Sequence, residues 1–164
     1  MRSRSSEWFE VKVRYDKMND EGMQKPITEQ YVVDAFSFTE TESIITEEMS
    51  AYIVGEFNIK DIKPAAYKEI FFSDMPADDR WFKAKLFFIT LDEKKGKEKR
   101  TAVNYLVQAH SLPQAVTYIN DVMGKTMVDY VIASVAETQI LDVFEHDGKA
   151  LAEQKDDKPE YEEQ

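Results

Sequence analysis

The sequence predicts an α+β fold built from two copies of a β-β-α-β or β-β-α-β-β unit. The expected architecture is an antiparallel sheet carrying two helices, with the copies related by a pseudo-two-fold axis. Three observations predict it. Trp8-Phe9-Glu10-Val11-Lys12-Val13-Arg14-Tyr15 reappears 73 positions on as Trp81-Phe82-Lys83-Ala84-Lys85-Leu86-Phe87-Phe88. Tyr31-Val32-Val33-Asp34-Ala35-Phe36-Ser37 returns as Tyr105-Leu106-Val107-Gln108-Ala109-His110-Ser111, and Ile70-Phe71 returns as Val143-Phe144. These landmarks keep their order at an offset of 73–74, which marks internal duplication. The expected repeats are residues 7–72 and 80–145, together one compact domain, followed by an acidic mobile tail over 146–164.

Each element has a local reason. Trp8 to Asp16 alternates in polarity and is rich in aromatic and β-branched residues, the signature of a strand. Asn19-Asp20-Glu21-Gly22 reads as a turn, and Thr28 to Phe36 as the returning strand. In the second copy, Glu93-Lys94-Lys95-Gly96 is the turn and Arg100 to His110 the return. A helix follows each hairpin. Ser37-Phe38-Thr39-Glu40 fits a capping box, and Ser111-Leu112-Pro113-Gln114 repeats it with proline in the first turn, where its missing N–H does no harm. Ile45, Met49 and Tyr52 in one helix, and Ile119, Met123 and Met127 in the other, fall at helical spacing and are expected to face a core. Gly55 and Gly124 are the expected helix stops. Extended segments follow, Glu56 to Phe72 and Asp129 to Phe144, each one bulged strand or two strands. Ser73 to Arg80, containing Pro76, links the copies.

Composition narrows the function classes. The chain has 164 residues, 43% of them hydrophobic, with ten Phe, eight Tyr and two Trp, enough for a packed core. It has no cysteine, which excludes disulfides, thiolate metal sites and cysteine nucleophiles. A reducing cytoplasm is the expected location. No apolar run approaches the ~18 residues of a membrane span, and the charged start Met1-Arg2-Ser3-Arg4 lacks the apolar stretch of a signal peptide. Net charge is −11, of which Glu145–Gln164 contributes −5. An acidic body repels nucleic acid and anionic membrane unless a local basic patch overrides it.

Trp8–Tyr15, Glu69–Phe72, Arg80–Lys85 and Phe88–Lys94 together resemble a family of unknown function found in Bacteroidetes genomes and their mobile elements. The resemblance spans roughly residues 7–145. It implies a bacterial or phage origin and brings no activity, cofactor or catalytic residue.

The candidate binding residues lie on the first strand of each copy. With Phe9, Val11, Val13 and Tyr15 pointing into the core, Trp8, Glu10, Lys12 and Arg14 point the other way. In the second copy the outward set is Trp81, Lys83, Lys85 and Phe87. A tryptophan beside two cations suits a single-stranded nucleic acid, with bases stacked on the indole and phosphates neutralised by Lys and Arg. The bland alternative packs Trp8 and Trp81 into a core or a homodimer contact under lysine stems. A protein-binding adaptor, such as a phage or mobile-element factor acting on a host protein, is the second reading.

Catalysis has less support. His110 and His146 are far apart, and Asp34, Asp61, Glu69 and Asp142 show no ligand spacing, so neither a metal nor any other cofactor is expected. No nucleophile elbow or phosphate-binding glycine loop is present. Glu10-x-Lys12 matches a fragment of a nuclease motif, but the second copy has Lys83 in place of Glu10. A non-enzymatic binding protein is therefore the expected class.

Overall fold

The computed structural model describes residues 1–145, so the expected acidic tail, 146–164, lies outside the described residues. In chain order the elements are β1 (Arg2–Arg4), β2 (Trp8–Met18), β3 (Gln24–Asp34), α1 (Phe38–Ser50), β4 (Phe57–Ala65), β5 (Tyr67–Phe72), β6 (Arg80–Asp92), β7 (Lys97–Ala109), α2 (Leu112–Met123), β8 (Asp129–Glu137) and β9 (Ile140–Phe144). This is a mixed α and β fold, mostly strands. In place of the one antiparallel sheet expected, the strands form two sheets, ordered β4-β2-β3-β9 and β1-β5-β7-β6-β8.

The chain divides into two compact units, neither of which is a continuous half. Among the described residues the first comprises Glu7–Ala65 with residues 141–145; the second comprises Met1–Ser6 with Ala66–Ile140. The reason is where the last strand of each expected repeat goes. β5 follows β4 in sequence but pairs with β7, in parallel, through Tyr67↔Asn104 and Glu69↔Tyr105. β9 follows β8 but hydrogen-bonds to β3. The extended segments are thus two strands each, and the two members of each pair belong to different sheets.

Each sheet is organised around a long hairpin. β2 pairs with β3 from Trp8↔Asp34 to Met18↔Gln24, and β6 with β7 from Arg80↔Ala109 to Asp92↔Lys97. Both turns are closed by a side-chain carbonyl. Asn19 Oδ1 accepts from the Glu21 and Met23 amides at 3.0 and 2.9 Å. Asp92 Oδ1 accepts from the Lys94 and Lys95 amides at 3.1 and 3.4 Å. This is the local bonding for which Asn and Asp are favoured in turns. Gly22 (φ 79°) and Gly96 (φ 58°) then take the left-handed conformation that a side chain disfavours. On the other edge of each first hairpin strand, β4 pairs with β2 and β8 with β6. Each ladder shifts register once, between Lys12 and Val13 and between Lys85 and Leu86, positions 73 apart.

One helix covers one face of each hairpin. In the first unit Phe9, Val11, Val13, Tyr31 and Val33 pack with Ile44, Ile45 and Met49 of α1. In the second, Phe82, Ala84, Leu86, Tyr105 and Val107 pack with Ala115, Ile119 and Met123 of α2. Burying each such large apolar side chain is worth about 1.5–3 kcal/mol. The helix ends differ in part from expectation. α1 stops at Ser50, so Tyr52 lies beyond it and is exposed, and Gly55 (φ 107°) belongs to the following loop. Gly124 does cap α2, which leaves Met127 outside the helix and fully exposed.

Both helix starts stand where the sequence places them. Ser37 Oγ accepts from the Glu40 amide at 3.0 Å and Ser111 Oγ from the Gln114 amide at 3.2 Å. Ser37→Ala and Ser111→Ala are each expected to destabilise the fold by about 0.5–2 kcal/mol. Chemical denaturation checks this, and unchanged midpoints in both variants would contradict it.

Candidate functional site

The candidate residues divide by exposure. Lys12, Arg14, Lys83 and Lys85 are exposed, as alternation predicts, whereas Trp8 and Trp81 are each only 2% exposed. Of the two alternatives for the indoles, this burial fits the packed one, with neither ring open as a stacking platform. Alternation decides which face a side chain takes, not whether that face is open. In the second unit the Phe72 ring meets Trp81 edge-on at 5.6 Å, and the Arg2 guanidinium lies 4.2 Å above the Phe72 ring. Ile70 and Leu106, neighbours in register across β5 and β7, are also fully buried. In the first unit Val32 and Asp34, in register with Glu10 and Trp8, are buried beside the indole.

The two open faces have different chemistry. On β2, Lys12 sits opposite Gln30 and Asp61, and Arg14 opposite Thr28 and Asn58. Glu10 accepts a hydrogen bond from Gln30 at 3.4 Å and pairs with Lys63 at 3.5 Å. Cations and carboxylates alternate there, and the local field is largely balanced. Glu10 thus belongs to an ordinary surface pair, with Lys12 facing Asp61.

The β6 face is both apolar and cationic. Lys83, Lys85, Phe87, Ile89 and Leu91 follow one another along it by period-2 alternation. Phe87 lies between Ala102 of β7 and Val131 of β8. Leu91 is 68% exposed and Val131 39%. The Lys85 ammonium is 5.3 Å from the Phe87 ring centroid, a cation–π distance. Arg100, in register with Ile89, adds a third cation, with Glu98 Oε2 3.8 Å from its Nε.

A second cluster, absent from the sequence reading, surrounds the buried Asp78 of the link between β5 and β6. Asp78 Oδ2 accepts hydrogen bonds from the Ser73 and Tyr118 hydroxyls, the latter at 2.5 Å, and Asp78 Oδ1 lies 2.7 Å from His110 Nδ1. The Ser73 amide donates to Gln108 Oε1 at 3.0 Å, and Ser73 Oγ accepts from the Met75 amide at 3.1 Å. Burial pushes the Asp78 pKa up. The bonds from Ser73, Tyr118 and His110, with the imidazole charge, outweigh burial and hold it below the usual carboxylate value. A carboxylate orienting a half-exposed imidazole is a proton-transfer geometry. Here both hydroxyls bond the carboxylate rather than the imidazole, unlike a nucleophile hydrogen-bonded to a histidine base. The cluster fastens the link to the end of β7 and to α2. No periodicity signals Asp78; it is one of three acids, with Asp74 and Asp79, in a proline-containing link, and nothing in the sequence singles it out.

The scattered acids do not converge. Asp34 is fully buried, Asp61 lines a shallow depression with Glu42 and Lys60, and Asp142 lines another with Tyr15, Tyr31 and Tyr52. Among the described residues no group of three or more His, Asp or Glu side chains could hold a metal ion. No described helix is long and apolar enough to cross a membrane.

The chain belongs to the family described as a domain of unknown function, DUF4494, whose profile matches residues 7–146. No curated protein and no solved structure matches it.

The Asp78 cluster carries a pH signature. A carboxyl whose folded pKa is depressed adds stability above its unfolded value of about 3.9, and loses it as pH falls through the folded value. Asp78→Ala is expected to cost about 1–3 kcal/mol at neutral pH, since it strands buried hydroxyls. The gap between wild type and variant should narrow below about pH 4. Denaturant unfolding from pH 7 to pH 2.5 or so measures it, and a gap independent of pH would contradict the ionised cluster.

Proposed function

We propose that the chain is a non-enzymatic binding protein whose β6 face docks a protein partner, an adaptor role. The observation that carries this reading is the apolar strip of half-buried Phe87 and Ile89 with exposed Leu91 and Val131, bordered by Lys83 and Lys85 in a chain of net charge −11. A solvent-facing strand ordinarily carries polar residues at these positions, and a contiguous apolar patch rimmed by charge marks a contact surface. The partner segment is one with apolar side chains flanked by acids. The cations steer and orient it, while the apolar strip supplies most of the affinity.

A second reading keeps single-stranded nucleic acid on the same face. The Lys85–Phe87 pair favours it, since a half-buried phenyl ring can take one base while the lysines contact phosphate. The burial of Trp8 and Trp81 weakens it, because the two largest stacking surfaces are withdrawn. On either reading the first unit contributes less, since Lys12 and Arg14 lie among Glu10, Asp61 and Lys63.

We further propose that the chain arose by duplication of a β-β-α-β-β segment whose last strands were exchanged. The repeated element order, the serine caps 74 residues apart and the register shifts 73 apart support this.

Placing a photo-crosslinking residue at Leu91 in cells tests the docking face. A discrete protein adduct is expected, lost when Lys83→Glu and Lys85→Glu are added, and absent with the crosslinker at Lys125. Adducts to nucleic acid instead, with single-strand affinity whose log–log salt slope falls by about 0.7 per phosphate contact removed, would favour the second reading. No adduct of either kind would contradict both.

A further inference from the structure

The first unit carries a depression unrelated to the β6 face. It holds about 360 Å³ and is walled by Tyr15 of β2, Glu29 and Tyr31 of β3, Tyr52 past the end of α1, and Asp142 of β9, with Lys17 at its edge. Alternation explains the convergence. Tyr15 continues the row Phe9, Val11, Val13 past the residues that pack on α1, and Glu29 lies on the matching face of β3 beside Tyr31, whose ring itself belongs to the α1 core.

We propose that this depression binds an organic cation, a primary ammonium or guanidinium group such as a diamine or a lysine or arginine side chain offers. Three phenol oxygens and two carboxylates supply acceptors on several sides, the complement of a group with several N–H donors and a positive charge. Glu29 lies close enough to the Tyr15 and Tyr31 hydroxyls to raise both phenols' pKa values. Burial first, then the Glu29 hydrogen bond and charge, pushes Tyr15 up to about 12; burial, then Glu29 and Tyr52, pushes Tyr31 higher still. Burial opposes any charge, and the Glu29 contribution is the part that favours a cation. Tyr52 also stands at the carboxyl end of α1, whose last turn carries no basic residue, so the negative end of that helix is uncompensated from within. Lys17 opposes the arrangement, and its removal should help.

Titration of the full chain with n-butylammonium, n-butylguanidinium and n-butanol, followed by NMR chemical shifts or calorimetry, tests this. Saturable binding of at least one cation, with none of the neutral alcohol, is expected. Glu29→Gln, nearly isosteric, should weaken it roughly tenfold or more, as for loss of a charge-assisted hydrogen bond. Tyr52→Phe, at an exposed ring, should weaken it several-fold, and Lys17→Met should strengthen it. Equal binding of the alcohol, no saturable binding of either cation, or indifference to Glu29→Gln in a variant that melts like wild type would overturn the proposal.

Discussion

Everything in this molecule depends on the two long hairpins. In each, cross-strand hydrogen bonds hold eleven or thirteen residue pairs in one register, and that register sends alternate side chains to opposite faces. A slip of one residue would bring Lys12 and Arg14, or Lys83 and Lys85, to the helix and turn the apolar row to solvent. The side-chain carbonyls of Asn19 and Asp92, with Gly22 and Gly96, fix the register at the turns. One helix then has a single apolar stripe to cover, and the serine caps set where it begins.

The proposed docking face is one that the helices do not cover. The register puts Lys12, Arg14 and Glu10 on one such face and Lys83, Lys85 and Phe87 on the other, but the neighbours differ. β3 and β4 bring Asp61, Asn58, Thr28 and Gln30 to the first face, and it becomes an ordinary polar surface. β7 and β8 bring Ala102 and Val131 to the second, and an apolar strip remains in contact with water. The binding role proposed above rests on that difference between two otherwise parallel arrangements.

Much of this was legible in the sequence because it is local. The hairpins, both helix starts, the links between elements and the outward direction of Lys12, Arg14, Lys83 and Lys85 follow from period-2 alternation, turn residues and Ser-x-x-Glu/Gln caps. What is not local was not legible. β5 and β9 are short strands that join a different sheet from the strands preceding them, and no local pattern marks that choice. The placement of β5 beside β7 closes part of the open face, setting Phe72 against Trp81, so the indole is buried on a face that alternation alone leaves open. Tyr52 and Met127 continue a helical period past the point where their helices end, which periodicity cannot detect. Asp78 draws its partners from positions 73, 110 and 118, a separation that no motif encodes.

Both indoles belong to packed interiors, and the proposed docking face is the Lys83–Leu91 strip. The chain has only two tryptophans, so its intrinsic fluorescence reports on them alone. Steady-state emission with acrylamide quenching, on the native protein and in denaturant, is the direct measurement. Blue-shifted native emission, weakly quenched and shifting red with a rise in quenching on unfolding, is the predicted result. Native emission already at the wavelength of the unfolded chain and quenched as strongly would contradict it, and would return Trp8 and Trp81 to the binding surface.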